Sequence, residues 1–294
     1  MVERIARFYF ICSAILVSLI TVCIVGSILF ESISFFGTIS IWEFFLSTQW
    51  EPSSNSNEHY GAIPLFFGTI AISLISMSIA VPFGVLTAIY LSEYIKPNMR
   101  KWLKPIIEFI AGIPTVVYGF FAAMVVGPQL RSFAEFYDIP ATTESSLACG
   151  IVMGVMIIPY ISSMSDDIIQ SIPENQRQSS LALGANKSET ILRIVIPAAL
   201  PGIIAACILG LSRAIGETMI VVMASGLTAR ISLNPFESLT TVTVQIVGLL
   251  TGDLSFEGVS VKAAYALGLT LFISTFIFNA LAIRIITYYR KKYV

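Results

Sequence analysis

Six stretches of this chain are apolar for long enough to cross a lipid bilayer, which leaves few folds open. They run over residues 8–30, 64–91, 105–126, 147–164, 198–225 and 263–288. A hydrocarbon core takes about 20 helical residues to span. No water is present there to satisfy backbone N–H and C=O groups, so each segment closes its own hydrogen bonds as a helix. The expectation is an all-α polytopic membrane protein with about six transmembrane helices. Composition agrees, because only 12% of the residues are charged, against about 25% in soluble domains. The first run is longer than the roughly 7–15 residues of a secretory signal core, and no small-x-small site follows, so it reads as a retained helix.

Lysine and arginine set the orientation. Arg4 and Arg7 precede the first span, and Lys96, Arg100, Lys101 and Lys104 follow the second. Arg177, Lys187 and Arg193 follow the fourth, and Arg284, Arg290, Lys291 and Lys292 close the chain. The alternate connections hold only Arg131, Arg230 and Lys262. Positive residues stay cytoplasmic, so both the N- and C-termini are expected there. In the first outer connection, Trp42, Phe44, Phe45 and Trp50 suit a membrane–water interface, and SSNSNEH reads as a flexible polar loop. TTVTVQIVGLL, in the outer connection 226–262, reads as a partly buried or re-entrant helix.

Several function classes fall away. A net charge of −1 does not suit nucleic acid. The four cysteines (Cys12, Cys23, Cys149, Cys207) all lie in apolar runs, and His59 is the one histidine, so neither a metal site nor a disulfide framework is expected. No HExxH or GxSxG occurs, and no catalytic residue or cofactor is assigned. Asp166 and Asp167 mark the exit of the fourth span and have no neighbours in sequence that would make them a catalytic pair.

Two features need a special explanation. The fifth apolar run holds Arg213 and Glu217, each costing roughly 2.5–3.5 kcal/mol at mid-bilayer on insertion scales. At i and i+4 of one helix they project from one face and neutralise each other in part. A helix starting near Pro201 carries Arg213 about 18 Å along, near mid-membrane. They serve either as a structural ion pair or as a substrate pathway, and intramembrane ionisable residues usually mark pathways. Before them lies a polar turn. Pro173 suits the start of a short helix, Gly184 its stop, and Asn186 with Glu189 a cap for a second short helix. Leu181, Leu183, Ile191 and Leu192 give this turn more apolar surface than a solvated loop needs, so a partner is expected to cover part of it. In the third span, Gly112 and Gly119 lie seven apart, as small residues on one helix face, with Pro114 between them.

The turn also fits a spacing. Permeases of ATP-binding-cassette importers carry E-A-A-x3-G-x9-I-x-L-P, a loop that docks on the ATPase. Here Gln178-Ser179-Ser180 stands at the triplet, followed in register by Gly184, Ile194 and Pro197, with QSS replacing EAA and Ile196 replacing Leu. Trp50-Glu51-Pro52, YGAIPLFFGT, AIYLSEY, IEFIAGIPTVVYGFF and LSRAIGETM resemble, in order, the PstC-type permeases of phosphate importers. That resemblance implies a type I importer permease fold in the bacterial inner membrane. It also implies a PstA-like second permease as heterodimer partner, a PstB-like ATPase dimer and an extracytoplasmic phosphate-binding protein. Substrate pathway residues would be Arg213 and Glu217. ATPase coupling residues would be Gln178, Ser179, Ser180, Gly184, Ile194 and Pro197. GANKS lacks the first glycine of a P-loop, so ATP hydrolysis belongs to another chain. The domain reading is 1–63 as an N-terminal helix with an outer interfacial segment, then 64–294 as the permease domain with coupling loop 172–197. A permease for molybdate or sulfate shares this pattern. A stand-alone secondary carrier would need no such loop, and no repeat of two halves is evident.

Overall fold

The computed structural model describes residues 2–52, 58–251 and 258–293. Most of the expected polar loop, residues 53–57, is outside the described residues, as are the side chains of Arg290, Lys291 and Lys292. The chain packs as two units, Met1–Ile63 with Gln245–Phe272 and Pro64–Val244 with Ile273–Val294.

The first unit opens with α1 (Val2–Phe36), whose exposed surface of Phe8, Phe10, Val17 and Val22 suits hydrocarbon. After α2 (Ile41–Leu46) the chain pairs β1 (Trp50–Glu51) antiparallel with β2 (His59–Tyr60), Trp50 opposite Tyr60. This short ribbon is an addition to the all-α expectation. Tyr60 is fully buried, edge-on to Phe35 at 5.5 Å and to Trp50 at 6.0 Å. Its hydroxyl donates to Glu58 at 2.7 Å and lies 3.1 Å from Ser260 Oγ, while burial pushes the phenol up to about 12. The aromatic segment is therefore divided. Trp42 and Phe45 remain exposed, whereas Phe44 and Trp50 build this cluster.

In the second unit α3 (Ile63–Ile89) runs through Pro82 and ends in a π-helical turn, Tyr90–Tyr94. Next come α4 (Pro97–Ala111), α5 (Thr115–Phe121), a π turn at Ala122–Val126 and α6 (Gly127–Phe136). The central helix α7 (Ser146–Gln170) starts at an N-cap, Ser145, whose Oγ accepts from the Ala148 N–H. Two short helices follow, α8 (Glu174–Ala182) and α9 (Lys187–Thr190). The chain then continues through a π turn at Ile191–Val195 into α10 (Ile196–Ile215), and on to α11 (Met219–Ala224). The remaining helices are α12 (Val242–Thr251) and α13 (Val259–Tyr293).

Six of these helical runs are long and apolar enough to cross a membrane. The first and fourth run six residues further than expected, to Phe36 and Gln170, and two others are displaced along the chain. The third is Thr115–Phe136 rather than 105–126. Pro114 has no N–H to continue the ladder, and the Gly112 N–H turns back to the Phe109 carbonyl, so α4 stops as a separate helix. The fifth is Lys187–Ile215 rather than 198–225. It begins inside the polar turn, so α9 is not a separate short helix, and it ends ten residues earlier than expected.

Lipid tails are as apolar as a protein core, so close packing rather than the hydrophobic effect holds such helices together. Buried Ile72 of α3 packs with Val152, Met153, Met156, Ile157 and Ile161 of α7. A Cβ on Gly154 would sit 2.9 Å from the Ser76 carbonyl, and one on Gly202 of α10 only 2.6 Å from Ile168 Cγ2. Glycine is what lets α3 and α10 lie this close to α7.

Asp166 and Asp167 acquire partners that sequence order hides. Asp166, fully buried, accepts from Arg100 Nη2 at 2.5 Å, Lys104 Nζ at 3.2 Å and Gln170 Nε2 at 3.0 Å. Asp167 accepts from Lys104 Nζ at 2.6 Å. Arg100 also donates to the Leu91 carbonyl, which ties α4 to the ends of both α7 and α3. The Asp167 hydrogen bond raises the Lys104 pKa above its ordinary 10.5, so this lysine's contribution to stability is complete below that value and lost only above it. Asp166→Ala strands Arg100, while Lys104 keeps Asp167, and is expected to cost about 3 kcal/mol, the lower end for a broken buried pair because the guanidinium keeps some solvent. Asp167→Ala, at a side chain 64% exposed, is expected to cost less than about 1 kcal/mol. Thermal melts in detergent check the ranking, and equal losses contradict it.

Candidate functional site

The fifth long helix breaks where its charges sit. α10 ends at Ile215, and Gly216 and Glu217 turn their N–H groups back to Ser212 and Ala214. The Glu217 carboxylate then accepts from the Met219 N–H at 3.1 Å and the Ile220 N–H at 3.4 Å, capping α11. Thr243 Oγ1 donates to the Glu217 carbonyl at 2.9 Å and lies 2.9 Å from Thr241 Oγ1. The helical i, i+4 pairing expected for Arg213 and Glu217 is therefore absent, because the chain is not helical between them. No Arg213 ion pair occurs among the described residues. Its guanidinium instead lies over the Tyr160 ring of α7, 5.4 Å from the centroid. Arg213 occupies the last turn of a continuous run that starts at Lys187, about 39 Å away at 1.5 Å per residue. It stands at a helix end, not midway along a helix.

The break is held from two sides. A Cβ on Gly119 of α5 would meet Met223 Sδ at 2.9 Å, the Met219 carbonyl at 3.1 Å and Ile220 Cα at 3.2 Å. Ser225 Oγ donates to the Leu239 carbonyl at 2.5 Å, and the Leu239 N–H returns to the Ser225 carbonyl at 3.1 Å. Gly112, which the sequence placed on one face with Gly119, is on the other side of the Pro114 break and serves as the cap of α4.

The polar turn folds much as its residues suggest. Gly184 has φ +88°, its N–H reaches the Leu181 carbonyl, and the Ala185 N–H reaches the Ser180 carbonyl. That is a Schellman stop to α8. Asn186 and Glu189 form a complete capping box. Of the triplet, Gln178 and Ser179 are exposed, while Ser180 is buried with its Oγ 2.9 Å from Thr190 Oγ1. Ile194 is half-buried and Pro197 exposed. Leu183 is 90% exposed and Leu192 65%, with Leu181 also exposed, whereas Ile191 is buried. Sequence reasoning missed Tyr160, Thr243 and the tethers of Arg177. Each pairs with a residue far along the chain, and no local spacing signals that.

Against this geometry the comparisons are specific. A family model described as binding-protein-dependent transport system inner membrane component matches residues 80–293. The chain belongs to this family. It is 38% identical over 254 residues to the probable ABC transporter permease protein YqgH of Bacillus subtilis, covering 86% of this chain and 80% of that one. It is 31% identical over 269 residues to the phosphate transport system permease protein PstC 1 of Mycobacterium tuberculosis, covering 81% of this chain and 80% of that one. Among solved structures, a bacterial alginate ABC transporter in complex with its pentasaccharide-bound periplasmic protein superposes with TM-score 0.62 at 16% identity, over 95% of this chain and 94% of that one. An inward-facing MetNI methionine ABC transporter gives TM-score 0.55 at 18% identity, over 78% and 94%. The fold is that of a type I importer permease. As an inner-membrane component of this family, the chain is a multi-pass transport subunit and not an enzyme.

The two glycines of the third apolar run separate experimentally. Gly119→Ala forces α11 away from α5 and is expected to cost about 1–3 kcal/mol, as overpacking does. Gly112→Ala, whose added Cβ comes closest to the Phe109 carbonyl of its own helix at 3.3 Å, is expected to cost about 1 kcal/mol or less. Thermal melts of the two variants in the same detergent give the comparison.

Proposed function

We propose that this chain is the permease subunit of an ATP-driven phosphate importer and forms one half of its translocation pathway. The observation that carries the reading is Arg213, a guanidinium over the Tyr160 ring at a helix break and free of carboxylate partners among the described residues. A cation–π contact of this kind takes up none of the guanidinium N–H donors, whose fork matches two oxygens of a phosphate. Relatives named as phosphate permeases support the substrate. Glu217 belongs to the same pathway in a different task. Its carboxylate holds the backbone of the break open instead of neutralising Arg213.

The lysine and arginine distribution supports a cytoplasmic position for both termini and for loop 172–197. Gln178, Ser179, Ser180, Gly184, Ile194 and Pro197 then frame the surface that meets a PstB-like ATPase dimer, with Leu181, Leu183 and Leu192 as its apolar part. A PstA-like permease completes the pathway, and an extracytoplasmic binding protein delivers phosphate. ATP-driven closure of the ATPases moves the loops and rocks the two permeases between outward- and inward-facing states.

Uptake by the complete complex in proteoliposomes, supplied with its binding protein, tests this. Arg213→Gln is expected to lower phosphate uptake about 10- to 100-fold, the value of lost charge-assisted bonds at roughly 1.5–3 kcal/mol. Uptake at the wild-type level would remove Arg213 from the pathway. Transport of sulfate or molybdate in preference to phosphate would reassign the substrate. Gly184→Val puts a β-branched residue at φ +88°, a conformation that L-residues adopt at a cost of roughly 1–2 kcal/mol. It is expected to lose ATPase docking or to hydrolyse ATP without uptake, and normal values of both would refute the coupling assignment.

A further inference from the structure

Loop 172–197 and helix α3 are distant in sequence, yet the loop holds α3 by its final turn. That turn, Tyr90–Tyr94, is π-helical, a form found frequently at functional positions. Glu93 Oε1 accepts from Arg177 Nε at 3.1 Å and Nη2 at 2.9 Å. The same guanidinium donates to the Ile169 carbonyl at 2.9 Å and the Ile172 carbonyl at 2.7 Å, at the end of α7. The Arg177 and Glu93 side chains are 13% and 9% exposed. One residue further, Lys187 Nζ lies 5.2 Å from the centre of the Tyr94 ring, and Ser188 Oγ lies 3.4 Å from its hydroxyl. The loop therefore grips adjacent residues of one turn at two points, α8 through Arg177 and the first turn of the Lys187–Ile215 run through Lys187 and Ser188.

Closing the end of α7 accounts for two of these bonds but not for Glu93. Withdrawing an ion pair from water costs several kcal/mol per ion before its attraction is counted, and apolar residues of similar volume often pack as stably. What the pair adds is direction, because its hydrogen bonds join one named residue of the loop to one named residue of a membrane helix. We propose that Arg177 and Glu93 form the link through which movement of loop 172–197 is passed to α3, with Tyr94 as a second grip. From there the displacement reaches α7, because a Cβ on Gly84 of α3 would come within 2.9 Å of Ile161. The inference rests on the reading of the loop as the element that docks the ATPase.

The test uses the complete transporter, purified with its ATPase and reconstituted with its binding protein. Two quantities are measured, the ATPase retained on purification and the phosphate imported per ATP hydrolysed. Glu93→Gln keeps the size of the side chain and one acceptor oxygen, whereas Arg177→Gln removes the fork. Both are expected to retain the ATPase while phosphate per ATP falls about tenfold, within the 5–150-fold usual for coupling between sites. The double variant is expected to fall no further than the worse single one, since both act on the same link, Glu93→Gln by removing its charge and Arg177→Gln by removing its fork. An unchanged ratio in Glu93→Gln overturns the proposal, as does a parallel fall of hydrolysis and import. Loss of the ATPase from Glu93→Gln assigns the pair to docking and overturns it too. These readings stand whether or not Arg177→Gln assembles. Leu183→Asp separates the two claims. If it keeps the ATPase, the loop does not dock and the underlying reading fails. If it sheds the ATPase while Glu93→Gln keeps its ratio, only the link fails.

Discussion

A backbone N–H or C=O without a partner in apolar surroundings costs several kcal/mol. A helix can stop inside this bundle only where other groups take up the bonds it drops. Three helix stops show such groups at work. At 112–114 the Gly112 N–H returns to Phe109, and the Tyr118 hydroxyl donates to the Ile110 carbonyl. At 171–173 the Arg177 guanidinium takes the carbonyls of Ile169 and Ile172. At 216–218 the Glu217 carboxylate takes the N–H groups of Met219 and Ile220, and Thr243 takes the Glu217 carbonyl. In each place a polar side chain continues what the helix began.

The same requirement explains why the charges lie where they do. Glu217 is committed to the backbone of α11, so it does not cancel Arg213. Tyr160 offers Arg213 a ring face, which satisfies the cation without occupying its N–H donors. With the permittivity of the surroundings well below that of water, a donor fork left open in this way attracts an anion more strongly than it would in solution. Capping the break and keeping a cation available are thus one arrangement. On an unbroken helix the two side chains would have faced each other and paired.

Local signals in the sequence were legible and distant ones were not. The Gly184 stop and the Asn186–Glu189 box are set by neighbours within five residues, and the structure reproduces both. The six long apolar helices were equally readable, since length and hydropathy define them. Their ends were not. IIEFIAGIPTVVYG is apolar on both sides of Gly112 and Pro114, so hydropathy alone runs a single span through a true helix boundary. Gly216 hid a boundary in the same manner, and the i, i+4 geometry was drawn across it. The ion pairs Arg100–Asp166 and Arg177–Glu93 join residues 66 and 84 positions apart. Only the packing of α3, α4, α7 and α8 brings them together.

Continuity of hydrogen bonding links the two halves of the candidate site. The run Lys187–Ile215 is unbroken over 29 residues, about 44 Å at 1.5 Å per residue. Its first turn belongs to the loop and its last turn carries Arg213. At the loop end Ala88 of α3, Ile169 of α7, Ile172 and the α10-side residues Val195, Ala199 and Ile203 form one buried apolar knot beneath the Arg177–Glu93 pair. Side chains packed as in a protein interior do not slide independently, so under the proposed coupling a displacement of the loop would carry the ends of three helices with it. At the other end the helix is cut at Gly216, and nothing helical resists a change of angle there. Under the proposed coupling, a rod that begins in loop 172–197 and ends beside Arg213 would deliver displacement where the proposed substrate contact is made.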